Sequence, residues 1–277
     1  MEIKVNNVKY KYQNDPVLKG INMNIESSKI TGIIGKSGSG KTTLLEMFNA
    51  LRIPTEGIIK IDDFNIGKDI DINTHDLRFN VCLLSSFPED NFLGKTVKEE
   101  LQIPLKFYNY NQNKIMDRII SSLQMVGLDE TYLNRKLNTL SNSETRKIAL
   151  ASTLVLNPKV LVLDEPTIGL DSESEKNFIK LLRLLKRRYN KTIIIATHNT
   201  ELIHKIVDYI YVINEGKVVL EGDKYTIFKQ EKLLKKYGIK VPKTMEFSNT
   251  VLDKKNIKIG YRDEINDLIK DIYRYVK

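Results

Sequence analysis

The chain has 277 residues, 41% of them hydrophobic and 29% charged, which suits a globular protein with one large or two modest cores. No apolar run approaches the ~18–20 residues of a membrane-spanning helix, and the strand-like opening Met1-Glu2-Ile3-Lys4-Val5 has no signal or transit pattern. Of the net charge of +9, most lies in residues 223–277, which hold 14 Lys and Arg against 8 Asp and Glu; with no RNP motif, zinc pattern or aromatic-interleaved basic stripe, a solvated tail near an anionic membrane is expected, not a nucleic-acid surface.

Taken in order, residues 2–12 alternate apolar and polar at Ile3, Val5, Val8, Tyr10 and Tyr12, and residues 17–25 resume the alternation. With residues 30–34 they predict a β-rich opening. Tyr12 stands at the end of its strand, before the turn residues Asn14-Asp15-Pro16. It is either an edge-strand tyrosine packed on its neighbours or a platform for an adenine ring.

The apolar run Ile30-Thr31-Gly32-Ile33-Ile34 leads into Gly35-Lys36-Ser37-Gly38-Ser39-Gly40-Lys41-Thr42-Thr43, and Leu44-Leu45-Glu46-Met47 follows. This is a buried strand, a glycine-rich turn and a helix start, with the spacing G-x-x-x-x-G-K-[ST] of a phosphate-binding loop. Glycines let the backbone curl with its N–H groups inward. The helix N-terminus adds unpaired donors and a positive dipole end. Lys41 supplies a mobile charge for β- and γ-phosphates, and the Thr42 hydroxyl a ligand for Mg²⁺.

The helix from Lys41 should stop before Pro54, and residues 57–62 read as a strand. Residues 63–79 are expected to be polar loop. The strand Val81-Cys82-Leu83-Leu84 holds the single cysteine, which excludes an internal disulfide and reads as a small buried hydrophobe. Residues 95–157 turn to helical periodicity, with Ile115, Ile119, Ile120, Leu123 and Val126 on one face and Gly127 as C-cap. They read as a helical subdomain inserted in an α/β body.

Val160-Leu161-Val162-Leu163-Asp164-Glu165 is unalternated and ends in acids, the pattern of a central parallel strand whose carboxyl end faces a ligand. Asp164 would orient Mg²⁺ through water and Glu165 would accept a proton from an attacking water; the other reading has both capping the next helix. That helix covers about residues 173–188. A buried strand, residues 191–196, ends in Thr197-His198. His198 is either structural or a sensor of the γ-phosphate. Residues 209–220 form a hairpin, and short amphipathic helices interrupted at Pro242 end the chain.

Together, the loop, the acid-ended strand, the histidine one strand later and the inserted helices resemble the ABC ATPases over residues 2–225. The resemblance implies an α/β P-loop NTPase with a β-rich N-terminal part, a helical subdomain at about 95–157 and a helical C-terminal extension, 226–277. It makes residues 35–43 the Walker A loop, Asp164 the end of Walker B, Glu165 the general base and His198 the switch histidine. Tyr12 becomes the adenine-stacking aromatic, and Gly169-Leu170-Asp171 the loop (D-loop) through which partner cassettes communicate. ATP and Mg²⁺ follow as substrate and cofactor.

Two positions depart from the family pattern. The signature L-S-G-G-Q, which in the family covers the γ-phosphate on a partner's Walker A, is Leu140-Ser141-Asn142-Ser143-Glu144 here. Two glycines become residues with Cβ atoms, and Glu144 adds a charge expected to repel phosphate by about 1 kcal/mol. Ser86 replaces the Q-loop glutamine and is too short to join Mg²⁺, water and a membrane subunit. Within the family the chain is most similar to the ATPases of energy-coupling factor (ECF) transporters, through Phe87-Pro88-Glu89-Asp90-Asn91, Pro166-Thr167-Ile168-Gly169-Leu170-Asp171 and the tail Leu234-Lys235-Lys236-Tyr237-Gly238-Ile239-Lys240-Val241-Pro242. That likeness implies a peripheral protein on the cytoplasmic face of the membrane, paired with a second, different ATPase and a membrane transmitter subunit, importing a vitamin or metal ion. The alternatives are a degenerate cassette that binds ATP without useful turnover, and an ABC protein of nucleic acid.

Overall fold

The computed structural model describes residues 1–255 and the single positions 267, 269 and 270. Strands β1 (Ile3–Tyr12) and β2 (Asp15–Ile25) form a hairpin, and β3 (Ile30–Ile34) runs through residues 35–40 into α1 (Lys41–Phe48). Next come β4 (Glu56–Ile61), β5 (Phe64–Gly67), α2 (Thr74–Asn80) and β6 (Val81–Leu84). Helices α3 (Val97–Phe107), α4 (Ile115–Met125) and α5 (Asn142–Leu154) precede β7 (Val160–Asp164), α6 (Ser172–Tyr189), β8 (Thr192–Ala196) and α7 (Thr200–Ile206). The hairpin β9 (Tyr209–Asn214) and β10 (Lys217–Asp223) leads to α8 (Lys224–Lys229), α9 (Glu231–Lys236) and α10 (Lys243–Lys255).

Two sheets result. An antiparallel one has the order β2-β1-β4-β5; the other, β10-β9-β3-β8-β7-β6, is parallel except for its β9–β10 edge. Strands β3, β7 and β8 are buried at every residue, and alternation explains why both faces must be apolar. Val160, Val162, Ile194 and Ala196 pack with α1 and the antiparallel sheet, whereas Leu161, Leu163, Ile193 and Ile195 pack with α3–α7. Among the described residues no helix is long and apolar enough to cross a membrane.

Residues 63–79 are not the loop the sequence suggests. Asp62, at φ 46°, turns the chain so that β5 pairs with β4 and buries Ile66. Asn73 then caps α2 by accepting from the Asp76 amide. Each element is too short to display a period; α2 buries only Leu77. The tail is not simply solvated either, since Ile227, Phe228, Leu234, Ile239, Val241 and Met245 join the core beside α7. The far part of the expected extension, 256–277, lies outside the described residues apart from the three positions named. Cys82 is buried, and burial pushes its thiol up to about 12, so it packs as a hydrophobe.

Candidate active site

Strand order assembles the site. β3, β8 and β7 are neighbours, with Ile33 opposite Ala196 and Ala196 opposite Asp164. The loop after β3, the acids at the end of β7 and residues 197–198 after β8 therefore meet at one sheet edge, where open parallel sheets bind ligands. Leu84 pairs with Leu163, so Ser86, two residues on, arrives beside the acids.

In the loop, Gly38 and Gly40 take φ of 75° and 103°, a region that only glycine enters without strain. A Cβ on Gly35 would lie 2.3 Å from the Ile213 carbonyl oxygen. Lys41 Nζ donates to the carbonyls of Gly35 (2.8 Å) and Lys36 (3.0 Å). Burial lowers its pKa, while Glu165 and Asp164 pull the other way. Lys36, Ser37 and Gly38 are exposed at the loop's tip; Ser39 is buried. Thr42 Oγ1 and Ser86 Oγ both donate to Asp164 Oδ2, each at 2.8 Å. Asp164 is 3% exposed, and burial raises its pKa against the hydrogen bonds from Thr42 and Ser86. A buried carboxylate with two converging hydroxyls is an all-oxygen donor set that suits Mg²⁺, which binds through one or two carboxylates plus substrate phosphates and water.

Glu165 has φ 45°, and its amide donates to the Ala196 carbonyl at 2.8 Å. Its carboxylate is gripped on both oxygens. Thr197 Oγ1 donates to Oε2 at 2.6 Å, and the His198 amide and Nδ1 donate to Oε1 at 2.9 and 2.7 Å. An ionised carboxylate only accepts, so the histidine carries its proton on Nδ1. The His198 side chain is 70% exposed and that of Glu165 16%: the pair opens to the cleft.

That cleft, of about 1110 Å³, is lined by Tyr12, by most of the loop, and by Ser86, Asp164, Glu165 and His198. Tyr12 is 40% exposed, its hydroxyl 3.2 Å from Thr43 Oγ1 and the Arg52 guanidinium 4.7 Å from its ring centre.

Five residues singled out in the sequence, Ser141, Asn142, Ser143, Glu144 and Asp171, do not line this cleft; they form a second cluster. Ser141 caps α5 in a capping box with Glu144. The Glu144 carboxylate accepts from the Tyr132 hydroxyl (2.6 Å), Arg135 Nη1 (3.1 Å), and the Ser141 amide (2.8 Å) and hydroxyl (2.9 Å). These hydrogen bonds, with Arg135 adding less, pull its pKa down to about 2. Within the chain the Glu144 charge is thus engaged by four donors, one of them the Arg135 cation. Asp171 caps α6, and Ser174 joins Asp171 Oδ2 (3.1 Å) to Ser143 Oγ (2.9 Å). Asn142 and Ser143 have entered the helix, and their Cβ atoms stand where the family pattern has none.

Residues 18–168 match the ABC transporter family. The chain belongs to that family. Among relatives, the energy-coupling factor transporter ATP-binding protein EcfA2 of Clostridium perfringens (strain 13 / Type A) is 35% identical over 248 residues, 87% of each chain. The solved structure of cbiO1 from Clostridium perfringens, part of the ABC transporter complex cbiONQ, superposes with a TM-score of 0.74 at 30% identity, covering 88% of this chain and 97% of that one. A dimeric cassette, MJ0796, in a post-hydrolysis state with ADP and Pi, gives 0.73 at 29% identity, covering 80% and 98%.

Three contributors to this ABC cleft were missed in the sequence. Thr197 could have been noticed as the hydroxyl between the end of β8 and His198. Arg52 pairs with Glu46 six residues back, but what brings it to the cleft is Tyr10 and Tyr12, some forty residues away, so no local signal marks it. Residues 238–240 of the tail also line the cleft, and nothing in their spacing says so.

Proposed function

We propose that this chain is the ATP-hydrolysing subunit of an ECF-type importer of a small solute, a vitamin or metal ion. It would sit on the cytoplasmic face of the membrane, with a second ABC ATPase and a membrane-embedded transmitter subunit. The observation that carries hydrolysis is the Glu165 carboxylate, held by Thr197 and His198 at the mouth of the phosphate loop. The names of the relatives support the transporter class.

In this reading the loop's N–H groups and Lys41 hold the polyphosphate, and Tyr12 receives the adenine. Thr42 and Asp164, with Ser86 beside them, would hold Mg²⁺, which when bound neutralises charge on the phosphate oxygens. Glu165 takes the proton of a water whose oxygen attacks the γ-phosphorus; the bond to the bridging oxygen breaks, giving ADP and phosphate. His198, through Nδ1–H, and Thr197 keep the carboxylate aimed.

The separation of the two clusters favours unequal sites. A partner with an intact signature would complete the cleft that holds Glu165, while Asn142, Ser143 and Glu144 would cap the partner's nucleotide less closely. A heterodimer suits this chain better than a homodimer. Purification from membranes should bring down a second ATPase and a membrane subunit, and the complex should hydrolyse ATP faster than the homodimer. Equal rates would sink the unequal-site reading; a chain that co-purifies with no membrane protein would sink the transporter reading.

A further inference from the structure

The C-terminal segment reaches the nucleotide cleft of its own chain. Helix α9 ends in a glycine stop: the Gly238 amide donates to the Lys235 carbonyl and the Ile239 amide to that of Leu234, each at 2.9 Å, with Gly238 at φ 67°. This paired bonding needs a left-handed residue at Gly238 and reverses the chain there. Beyond it, Ile239 and Val241 are buried, 7% and 8% exposed, in the core beside α7. The intervening Lys240 is exposed and lines the cleft together with Gly238 and Ile239.

Two further contacts fix the segment against the site. The Lys243 amide donates to Glu201 Oε1 at 2.9 Å, clamping the tail to α7, the helix that follows His198. Across the cleft mouth, Lys36 of the phosphate loop lies over Gly238, where a Cβ would sit 1.9 Å from its Cε and 2.7 Å from its Nζ. Lys36 and Lys240 thus stand on the same rim, with Lys41 deeper, and among the described residues the acids lining the cleft are Asp164 and Glu165.

We propose that residues 238–240 are a wall of the nucleotide site supplied in cis by the C-terminal segment. Lys240 contacts the polyphosphate of a bound nucleoside triphosphate, and Gly238 leaves room for the Lys36 side chain on the same rim. The inference rests on the reading of residues 35–43 as an ATP-binding loop. It makes the tail a contributor to nucleotide affinity in its own chain.

Titration calorimetry with ATP on the purified full-length chain tests it. Lys240→Met should weaken ATP binding about 3- to 10-fold, the range for losing one exposed charged contact. The same change should flatten the dependence of affinity on salt, which a purely structural role would leave untouched, and Lys240→Arg should restore both. Gly238→Ala, which displaces the end of the Lys36 side chain without deleting its charge, should weaken ATP less than Lys36→Met does, and the double variant should be no worse than Lys36→Met alone. Lys240→Met and Gly238→Ala both within twofold of wild type, with unchanged salt dependence and with binding still lost in Lys41→Ala, would overturn the wall alone. Wild-type chain that fails to bind ATP, or Lys41→Ala that binds as tightly, would overturn the loop reading and the wall with it.

Discussion

The cleft and the signature cluster treat their carboxylates in opposite ways. In the cleft Asp164 is buried, and its two hydroxyl donors do not offset the desolvation, so its pKa rises. At the signature Glu144 collects four hydrogen bonds and its pKa falls to about 2. The first arrangement leaves a desolvated carboxyl whose anion gains from a cation arriving with the nucleotide. The second is already satisfied by Tyr132, Arg135 and Ser141, and offers a partner only shape and the helix start. A negative charge in a signature, read along the chain, looks like repulsion. In the fold it is a local cap.

The widest gap between the two regions should open with Glu165→Gln. ATP binding should persist, while turnover of the assembled complex should fall by about 10²–10⁴, the usual worth of a general base; a normal single-turnover rate would remove Glu165 from that role. Thr197→Val keeps the shape and deletes one of the two restraints on that carboxylate, so turnover should drop about tenfold at unchanged ATP affinity. A pH–rate profile that is unaltered along with the rate would show that Thr197 does not orient the base.

Smaller effects are expected at the signature. Asn142→Gly with Ser143→Gly should speed the partner's site by a few-fold, because it clears the Cβ atoms from the helix start. Glu144→Gln alone should not, because its charge already has partners; acceleration by the single change would restore the repulsion argument. That variant should instead cost about 1 kcal/mol of stability by weakening the capping box. The sign with pH is definite. A carboxyl held at about 2, below its ordinary value of 4.5, stabilises the fold above that ordinary value and loses its contribution as pH falls toward about 2. Denaturant unfolding of wild type should therefore weaken more steeply with acid than that of Glu144→Gln, and parallel curves would refute it.

Much of the cleft was legible because its chemistry is local: a glycine-rich turn between strand and helix, an acid-ended apolar strand, and a histidine closing another. Each motif declared itself within about ten residues, through backbone conformations only glycine allows or apolar runs only a two-sided strand requires. The short elements of residues 63–79 were not legible, because β5 and α2 exist through the pairing of β5 with β4 and through one cap, not through a period of their own.

By itself, then, the sequence determined that this chain holds a nucleoside triphosphate in a loop at a sheet's edge, with an acid pair and a histidine nearby. Only the tertiary structure decided which of these groups touch and which charges are already paired. The order β3-β8-β7 set Thr197 and His198 on Glu165, a four-donor cage held Glu144 as an anion beside Arg135, and a glycine-ended helix returned Lys240 to the cleft. Those are contacts between residues far apart in the chain, selected by strand order and core packing, and no spacing along the sequence encodes them.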